Sequence, residues 1–180
     1  MSMNKKNIIL FLILLFCVMS FYFIFRAREN QVFFIFVFRK KEGDIQLLLK
    51  KRAIKKDHYP GVWENTCCSY LNHGEFLVEA AKKRLKLETG IEIKDLYGIL
   101  SFNYKERLKN GLTKSWLDHV LIGKFDAEYI NFNPEEADAV LWVSIDKLKQ
   151  RLIEKPKTFA PWFKLLFSKI KQKHINNLFK

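Results

Sequence analysis

The pattern of apolar and polar positions divides the chain after about residue 30 into short strands and helices. Residues 31–38 (QVFFIFVF) and 45–49 (IQLLL) are β-branched and aromatic runs, and the turn residues at 40–44 (KKEGD) lie between them, which predicts a β-hairpin. Apolar residues then recur at helical spacing over 76–88, and Gly90 is suited to end that helix. This half of the pattern therefore predicts a hairpin followed by a helix.

The pattern continues with more strands and then with helices. Residues 91–102 and 116–125 are predicted strands, joined by a turn at 109–111, and residues 139–143 form another strand. Ser144 is placed to cap a helix over about 145–153, and Pro161 fits the first turn of a last helix. Strands with intercalated helices favour an α/β or α+β fold. We expect one such domain over residues 29–180.

An uncharged apolar segment precedes the domain at residues 8–25 (IILFLILLFCVMSFYFIF). Such a segment is just long enough to cross a bilayer as a helix. Lys5 and Lys6 come before it and more cations follow from Arg26 onward, and the more cationic flank usually stays in the cytoplasm. We therefore expect residues 1–28 to be a single-pass transmembrane anchor with the domain on the cytoplasmic side. A cleaved signal peptide is the alternative, but the segment lacks a small-residue cleavage site.

Charge and cysteine content narrow the class of partner. The 180 residues carry a formal net charge of +13, which favours phosphates or anionic lipid, or is simply the charge of a basic domain beside a membrane. No motif of aromatic and basic residues predicts a nucleic-acid partner. The lysine-rich tail at 164–180 is amphipathic and fits either a membrane surface or packing on the domain. The adjacent Cys67 and Cys68 predict no disulfide framework, and a monomer is expected.

Candidate chemistry concentrates around the two adjacent thiols. The turn PGVW at 60–63 leads into a short strand with NTCCS at 65–69, and side chains alternate along a strand, so only one thiol faces a given cavity. Arg52 and Lys56 come before this stretch, and a helix ending near Glu88 follows it. Cations, a thiol and a carboxylate in one region indicate a site for a phosphorylated small molecule.

Six short motifs resemble one enzyme family. They are PGVW at 60–63, NTCCS at 65–69, GE at 74–75, LETG at 87–90, WVSIDKL at 142–148 and APWF at 160–163. They make residues 31–167 similar to type 1 isopentenyl-diphosphate isomerase of the Nudix-fold superfamily, although Lys83, Arg84 and Leu87 interrupt the Nudix box. The resemblance implies a Nudix-like α/β/α sandwich with a mixed sheet. It also implies an allylic proton shift that converts isopentenyl to dimethylallyl diphosphate.

The resemblance assigns reacting and anchoring roles to single residues. Cys68 matches the catalytic thiol and Tyr104 matches a tyrosine that relays a proton to the alkene, whereas Cys67 is expected in the core. Three cations match residues that bind the diphosphate, since forked guanidinium and point-like ammonium donors both suit phosphate oxygens. They are Arg52, Lys56 and Arg84. Solvated surface charge is the alternative for these cations.

Two further residues complete the site that the resemblance implies. Trp162 matches an aromatic residue that closes the pocket, where an indole face stabilises a nearby carbocation. Its alternative role is core packing. Glu88 matches a carboxylate that helps to hold Mg²⁺ on the diphosphate, an arrangement in which few protein oxygens complement those of the phosphate.

The chain departs from the family at a second metal site of histidines and glutamates, one of which is also the catalytic acid. The corresponding positions are Lys114, Trp116, Tyr70 and Gln31. This metal site is therefore not expected, and an indole replaces the catalytic carboxylate. His58 and His73 flank the thiol motif as candidate replacement ligands.

Three functions remain open at this point. A rearranged isomerase would use Asp118, which lies two residues from Trp116 on the same strand face, or His119. A different Nudix reaction on a phosphorylated substrate would gather Glu75, Glu79 and Glu88 around Mg²⁺. A catalytically inactive protein would bind prenyl diphosphates or anionic lipid from its membrane tether.

Overall fold

The computed structural model describes residues 30–107 and 113–180, in which a seven-stranded sheet lies between helices on both faces. In chain order the strands are β1 (Asn30–Lys41), β2 (Asp44–Arg52), β3 (Trp63–Glu64), β4 (Cys67–Leu71), β5 (Leu96–Arg107), β6 (Thr113–Lys124) and β7 (Ala137–Ser144). Helix α1 (Leu77–Thr89) follows β4, and α2 (Ile145–Glu154), α3 (Pro161–Lys169) and α4 (Gln172–Leu178) follow β7. These layers agree with the predicted α/β/α sandwich.

The strands are ordered β3-β2-β1-β6-β5, with β4 also paired to β1 and β7 to β2. Strands β1 and β2 form the predicted antiparallel hairpin. Glu42 and Gly43 make its turn with φ angles of 50° and 85°, because a two-residue hairpin turn of type I′ needs positive φ at both central residues. Strands β5 and β6 form a second antiparallel pair, and the turn predicted at 109–111 lies outside the described residues.

Strand β1 is buried on both faces, which explains its almost unbroken apolar sequence. Its side chains alternate between two cores. Phe34, Phe36 and Phe38 pack with the helices after β7, and Phe33, Ile35 and Val37 pack with α1. Cys68 lies on the first of these sheet faces, and Cys67 is fully buried on the second, as the alternation predicts.

Strands β1 and β2 separate beyond the pair of Phe38 and Leu47, and residues 64–68 fill the resulting wedge. The hydroxyl of Thr66 takes the place of the next rung of the hairpin. It accepts a hydrogen bond from Val37 N–H at 3.0 Å and donates one to the carbonyl of Leu48 at 2.7 Å. Thr66 therefore satisfies both backbone groups that the separation of the strands would leave unpaired.

The two sides of the wedge are paired with different strands. Glu64 lies opposite Lys50 on β2, and Cys67 lies opposite Ile35 on β1. Asn65 closes the bend between them, since its amide donates to the carbonyl of Cys67 at 2.6 Å. The Asn-Thr pair of the NTCCS motif is therefore structural, and it fixes Glu64 and Cys68 on facing sides of the wedge.

Helix ends agree with the sequence except for one cap. Gly90 ends α1 in the left-handed conformation, with its N–H bonded to the carbonyl of Lys86 at 2.9 Å, and Pro161 starts α3. The predicted side-chain cap at Ser144 is wrong, because this residue is still paired with Gln46 in the sheet and makes no capping hydrogen bond. In the basic tail, residues Ile170, Ile175 and Leu178 are buried in the core, which supports packing on the domain.

The predicted anchor at residues 1–28 lies outside the described residues and stays a prediction. Among residues 30–107 and 113–180, no helix has both the length and the apolar character needed to span a membrane.

Candidate active site

Cys68 faces a carboxylate across the wedge. Its sulfur lies 3.8 Å from Oε2 of Glu64 and donates its hydrogen to that oxygen. The half-buried thiol packs against the same core as Trp162 of helix α3. The side chain of Glu64 is fully buried. Burial, and after it the negative charge of Glu64, raises the pKa of the Cys68 thiol. The thiol is therefore protonated at neutral pH.

Glu64 is the first carboxylate in a row of alternating charges. Nη1 of Arg52 lies 3.2 and 3.3 Å from its two oxygens, and Nζ of Lys50 lies 3.3 Å from Oε1. Both cations come from β2, on which Lys50 pairs directly with Glu64. The carboxylate is thus fixed between two cations and beside one thiol.

Glu88 joins the row from helix α1. Its Oε2 accepts a hydrogen bond from the ammonium of Lys50, and its Oε1 lies 2.6 Å from Nε of Arg84, one helical turn earlier. Lys50 and Glu88 are both almost fully buried. Burial by itself lowers the pKa of Lys50, but Glu64 and Glu88 outweigh it, so the pKa is raised and the ammonium stays charged.

Glu136 ends the row near the surface. One of its oxygens lies 3.0 Å from Nη2 of Arg84, and the other lies 2.6 Å from Nζ of Lys56. Burial by itself raises the pKa of Glu136. The hydrogen bond from Lys56 and the charge of Arg84 together lower this pKa by more than burial raises it, so the net shift is downward. Arg84 and Lys56 therefore meet on one carboxylate.

These contacts form a continuous series, which we call the charge chain. It runs Arg52, Glu64, Lys50, Glu88, Arg84, Glu136, Lys56. It brings together the three predicted diphosphate-binding cations, which have side chains between 15% and 34% exposed. The charge chain has one more cation than carboxylates. Its end nearest the surface, at Glu136 and Lys56, therefore suits an anion.

Trp162 forms an aromatic wall beside this row. Its indole ring meets the edge of Tyr59, with centroids 5.3 Å apart, and the guanidinium of Arg52 lies 5.6 Å from its centroid. The N–H of Ala160 donates to the carbonyl of Trp63 at 2.9 Å, which ties the start of α3 to β3. The PGVW and APWF motifs thus hold the indole next to the wedge. The buried indole Nε1 has no hydrogen-bond partner among the described residues.

Comparisons with known proteins show the family of the chain. The NUDIX domain family matches residues 28–163. An isopentenyl-diphosphate Delta-isomerase of Pectobacterium atrosepticum is 37% identical over 136 residues, covering 76% of this chain and 73% of its own. An isopentenyl-diphosphate Delta-isomerase 2 of Photorhabdus laumondii is 39% identical over 139 residues, covering 77% and 76%. This chain belongs to the isopentenyl-diphosphate Delta-isomerase family of Nudix proteins.

Solved Nudix structures support the fold alone. The Nudix hydrolase RenU of M. smegmatis has a TM-score of 0.61 at 15% identity, covering 84% of this chain and 88% of its own. A MutT protein of Methanosarcina mazei has a TM-score of 0.59 at 21% identity, covering 81% and 95%. The Nudix α/β fold with its mixed sheet is thereby confirmed.

Tyr104 stands apart from the charge chain in this family member. It lies on β5, opposite Trp116 of β6, and the two rings pack with centroids 5.8 Å apart. Alternation from the core residue Val120 puts Trp116 and Asp118 on the sheet face of Cys68. Tyr104 thus lies on the same sheet face as the Cys68 thiol but packs against the indole of Trp116. Its role in relaying a proton stays a prediction.

Asp118 and His119 lie on opposite faces of β6. Asp118 is buried opposite Phe102, and burial raises its pKa to about 6. His119 instead bonds Ser101 through Nδ1 and Gln31 through Nε2, both at 2.8 Å, and burial lowers its pKa. Only Asp118 shares the face of the thiol, so His119 does not stand in for the missing acid.

The donor set around Glu88 does not fit the Mg²⁺ ligand that the resemblance implies. Both oxygens of Glu88 are taken by cations, Lys50 on one and Arg84 on the other. A divalent cation there would lie beside an ammonium that is itself buried. The hydrolase alternative needs Glu75 as well, but that carboxylate bonds the backbone and amide of Asn72 at 3.0 Å. Over residues 30–107 and 113–180, no three His, Cys, Asp or Glu side chains form a metal-binding group.

Lys50 and Glu64 belong to the charge chain and were not predicted from the sequence. Lys50 follows three buried leucines and shares the strand face of Leu48, so a charge at this position needs a buried partner. Glu64 lies directly before the NTCCS motif. A lysine and a glutamate at buried strand positions were the available signal, but their pairing across two strands is not visible in sequence spacing.

Proposed function

We propose that this protein interconverts isopentenyl and dimethylallyl diphosphate. The observation that carries the proposal is the position of the Cys68 thiol, 3.8 Å from a buried carboxylate and beside a row of cations. An allylic proton shift needs an acid, a base, an anchor for the diphosphate and a dry wall. The family membership of the chain agrees with this reaction.

The diphosphate would bind at the outer end of the charge chain. Arg52, Lys56 and Arg84 are the partly exposed cations of that row, and phosphate oxygens would compete with Glu136 for Lys56 and Arg84. Charge-assisted hydrogen bonds to phosphate are strong, and guanidinium donors make them in pairs. The indole Nε1 of Trp162, which has no partner among the described residues, is a further donor for an oxygen of the substrate.

The hydrocarbon end would then lie against Trp162 and Cys68. Both side chains pack on the same apolar core, so this part of the site is poor in water. Protonation of the alkene creates a tertiary cation, which the face of an indole stabilises by cation–π attraction. Cys68 supplies the proton, and Trp162 lines the place where the positive charge develops.

We expect Mg²⁺ to arrive bound to the diphosphate of the substrate. A diphosphate in the cell carries a hard cation, which neutralises part of its charge when bound. Lys50 and Arg84 already occupy the oxygens of Glu88, so the charge chain supplies the neutralising charge on the protein side. No step of the proposed reaction depends on a metal held by Glu88.

The location at a membrane is part of the same proposal. Residues 8–25 are apolar and uncharged, and cations follow them, which favours a single-pass anchor with the domain in the cytoplasm. Retention of the full chain in membranes after an alkaline carbonate wash is the expected result. Its release by the wash would contradict the anchor without touching the isomerase proposal.

The reaction itself is tested with the full chain in mild detergent. Isopentenyl diphosphate is added with and without Mg²⁺, and products are separated by chromatography. Dimethylallyl diphosphate is the expected product, and Cys68→Ala should abolish it. Release of phosphate without isomerisation would instead favour the hydrolase, and binding without either product would favour the inactive prenyl-diphosphate binder.

A further inference from the structure

We propose that Glu64 is the proton partner of Cys68, replacing in function the carboxylate that β6 lacks at Trp116. The inference rests on the proposed isomerase function. Oε2 of Glu64 accepts a hydrogen bond from Sγ of Cys68 at 3.8 Å, a normal distance for a sulfur donor. The two side chains face each other because Thr66 holds the wedge open between them.

Glu64 is held as a catalytic group needs to be. Arg52 contacts both of its oxygens and Lys50 contacts one, and its side chain is fully buried. Two cations lie against the carboxylate, and its side chain is not exposed to solvent. These contacts fix the orientation of the carboxylate beside the thiol of Cys68.

The thiol and the carboxylate together can complete the allylic shift. The S–H bond of Cys68 breaks as its proton bonds to the terminal methylene carbon of the alkene, which leaves a tertiary cation and a thiolate. The carboxylate of Glu64 then removes a proton from the methylene carbon that is bonded to the cationic carbon on its diphosphate side, and the C–H electrons form the new double bond. The protonated Glu64 returns that proton to the thiolate. One proton leaves the pair and one comes back, so no external donor or oxidant is needed.

This step does not need a strong base. Protons next to a tertiary carbocation are extremely acidic, so a carboxylate can remove one. Arg52 and Lys50 also stabilise the thiolate that forms at Cys68. The network therefore balances the charge that the first step creates beside it.

Asp118 is the competing acid, and the fold places it further away. It lies on β6, whereas Cys68 lies on β4, and β1 runs between these two strands. Two strand spacings amount to about 10 Å. Glu64 is in direct contact with the thiol, so it is the better placed of the two carboxylates.

Kinetics of variants in the full chain test the assignment. Glu64→Gln should lower kcat by about 100-fold or more, while KM for isopentenyl diphosphate changes by less than about threefold. Glu64→Asp keeps the charge beside Lys50 but withdraws the carboxylate by one carbon–carbon bond, so kcat should still fall by about tenfold or more. Retention of wild-type kcat by either folded variant would overturn the inference, with folding checked by circular dichroism.

Two carboxylates serve as matched controls. Glu135→Gln removes an exposed carboxylate that pairs with Lys55, and kcat should not change. Asp118→Asn removes the competing acid, and kcat should stay within about threefold of wild type. A large loss of kcat in Asp118→Asn together with an active Glu64→Gln would assign the acid to β6 instead.

Alkylation of Cys68 separates this inference from the proposed function. Glu64 raises the pKa of the thiol, so Glu64→Gln should speed its reaction with iodoacetamide at pH 8 by about tenfold. Peptide mass spectrometry distinguishes Cys68 from the buried Cys67. An unchanged alkylation rate would show that the two groups do not share a proton. If the wild type is inactive and Cys68 is alkylated faster in Glu64→Gln, the isomerase function is wrong, but the contact in which Cys68 and Glu64 share a proton is supported.

Discussion

Lys50 and Glu88 form an almost fully buried ion pair that joins strand β2 to helix α1. The ammonium also lies 3.3 Å from Glu64, so a single lysine serves two carboxylates, both inaccessible to solvent. Removal of one member of a buried pair leaves a charge without compensation, which costs far more than the loss of an exposed pair. The charge chain is therefore a structural element as well as a binding site.

Replacement of Lys50 by methionine should strongly destabilise the fold. The variant leaves Glu64 and Glu88 with fewer cations, so the free energy of unfolding should fall by about 3–5 kcal/mol. Urea unfolding followed by tryptophan fluorescence measures the change. Lys55→Met is the matched control: its pair with Glu135 is exposed, and a change of less than about 1 kcal/mol is expected. Equal urea midpoints for the two variants would contradict the structural role of Lys50.

The hydroxyl of Thr66 should be needed for stability rather than for chemistry. Thr66→Val keeps the shape of the side chain but leaves Val37 N–H and the carbonyl of Leu48 unpaired in the core, at a cost of about 2–4 kcal/mol. The control Thr158→Val removes an exposed hydroxyl that bonds Lys155, and should change stability by less than about 0.5 kcal/mol. A Thr66 variant as stable as this control would mean that the wedge closes in another way.

Much of the fold could be predicted from sequence because its signals are local. The hairpin is encoded by two apolar runs and by a turn at Glu42 and Gly43, and the end of α1 is encoded by Gly90. The cap at Ser144 failed because a tertiary constraint, its pairing with Gln46 in the sheet, determines the conformation there. Local signals predict elements well but do not predict how their ends are satisfied.

The site could be predicted only in part, for a related reason. The motif identified Cys68, and the matched cations Arg52, Lys56 and Arg84 do converge. Glu136, which joins two of them, lies far away in sequence, so no spacing rule reveals it. Glu64 was missed because a charged residue before the motif has no meaning until the sheet folds and brings it to the thiol.

Asp118 should make the fold less stable as pH rises. Its folded pKa of about 6 lies above the ordinary value of 3.8, so between these pH values the folded state binds more protons than the unfolded state. Its contribution to stability is therefore lost as pH rises from about 4 to about 6, by about 1–3 kcal/mol. Urea midpoints of wild type and Asp118→Asn should converge at the acid end of this range and separate at pH 7, where the variant is the more stable. A constant difference would contradict the burial of a charged Asp118.

Removal of divalent metal should weaken binding more than it slows the reaction. Lys50 and Arg84 take both oxygens of Glu88, so the protein supplies its own cations beside the diphosphate. With EDTA present, kcat should fall by less than about tenfold, while KM rises because the free diphosphate carries more negative charge. Glu88→Gln should leave the dependence on Mg²⁺ unchanged. Complete loss of kcat with EDTA, restored by Mg²⁺, would show that a bound metal is essential to the reaction.

Proton NMR of isopentenyl diphosphate incubated with the full chain in D₂O tests the isomerase account most directly. The account predicts that the vinyl signals of the substrate decay as signals of dimethylallyl diphosphate grow. It also predicts that Cys68→Ala stops this change. An unchanged spectrum with the folded wild-type chain, or equal conversion by wild type and Cys68→Ala, would contradict it.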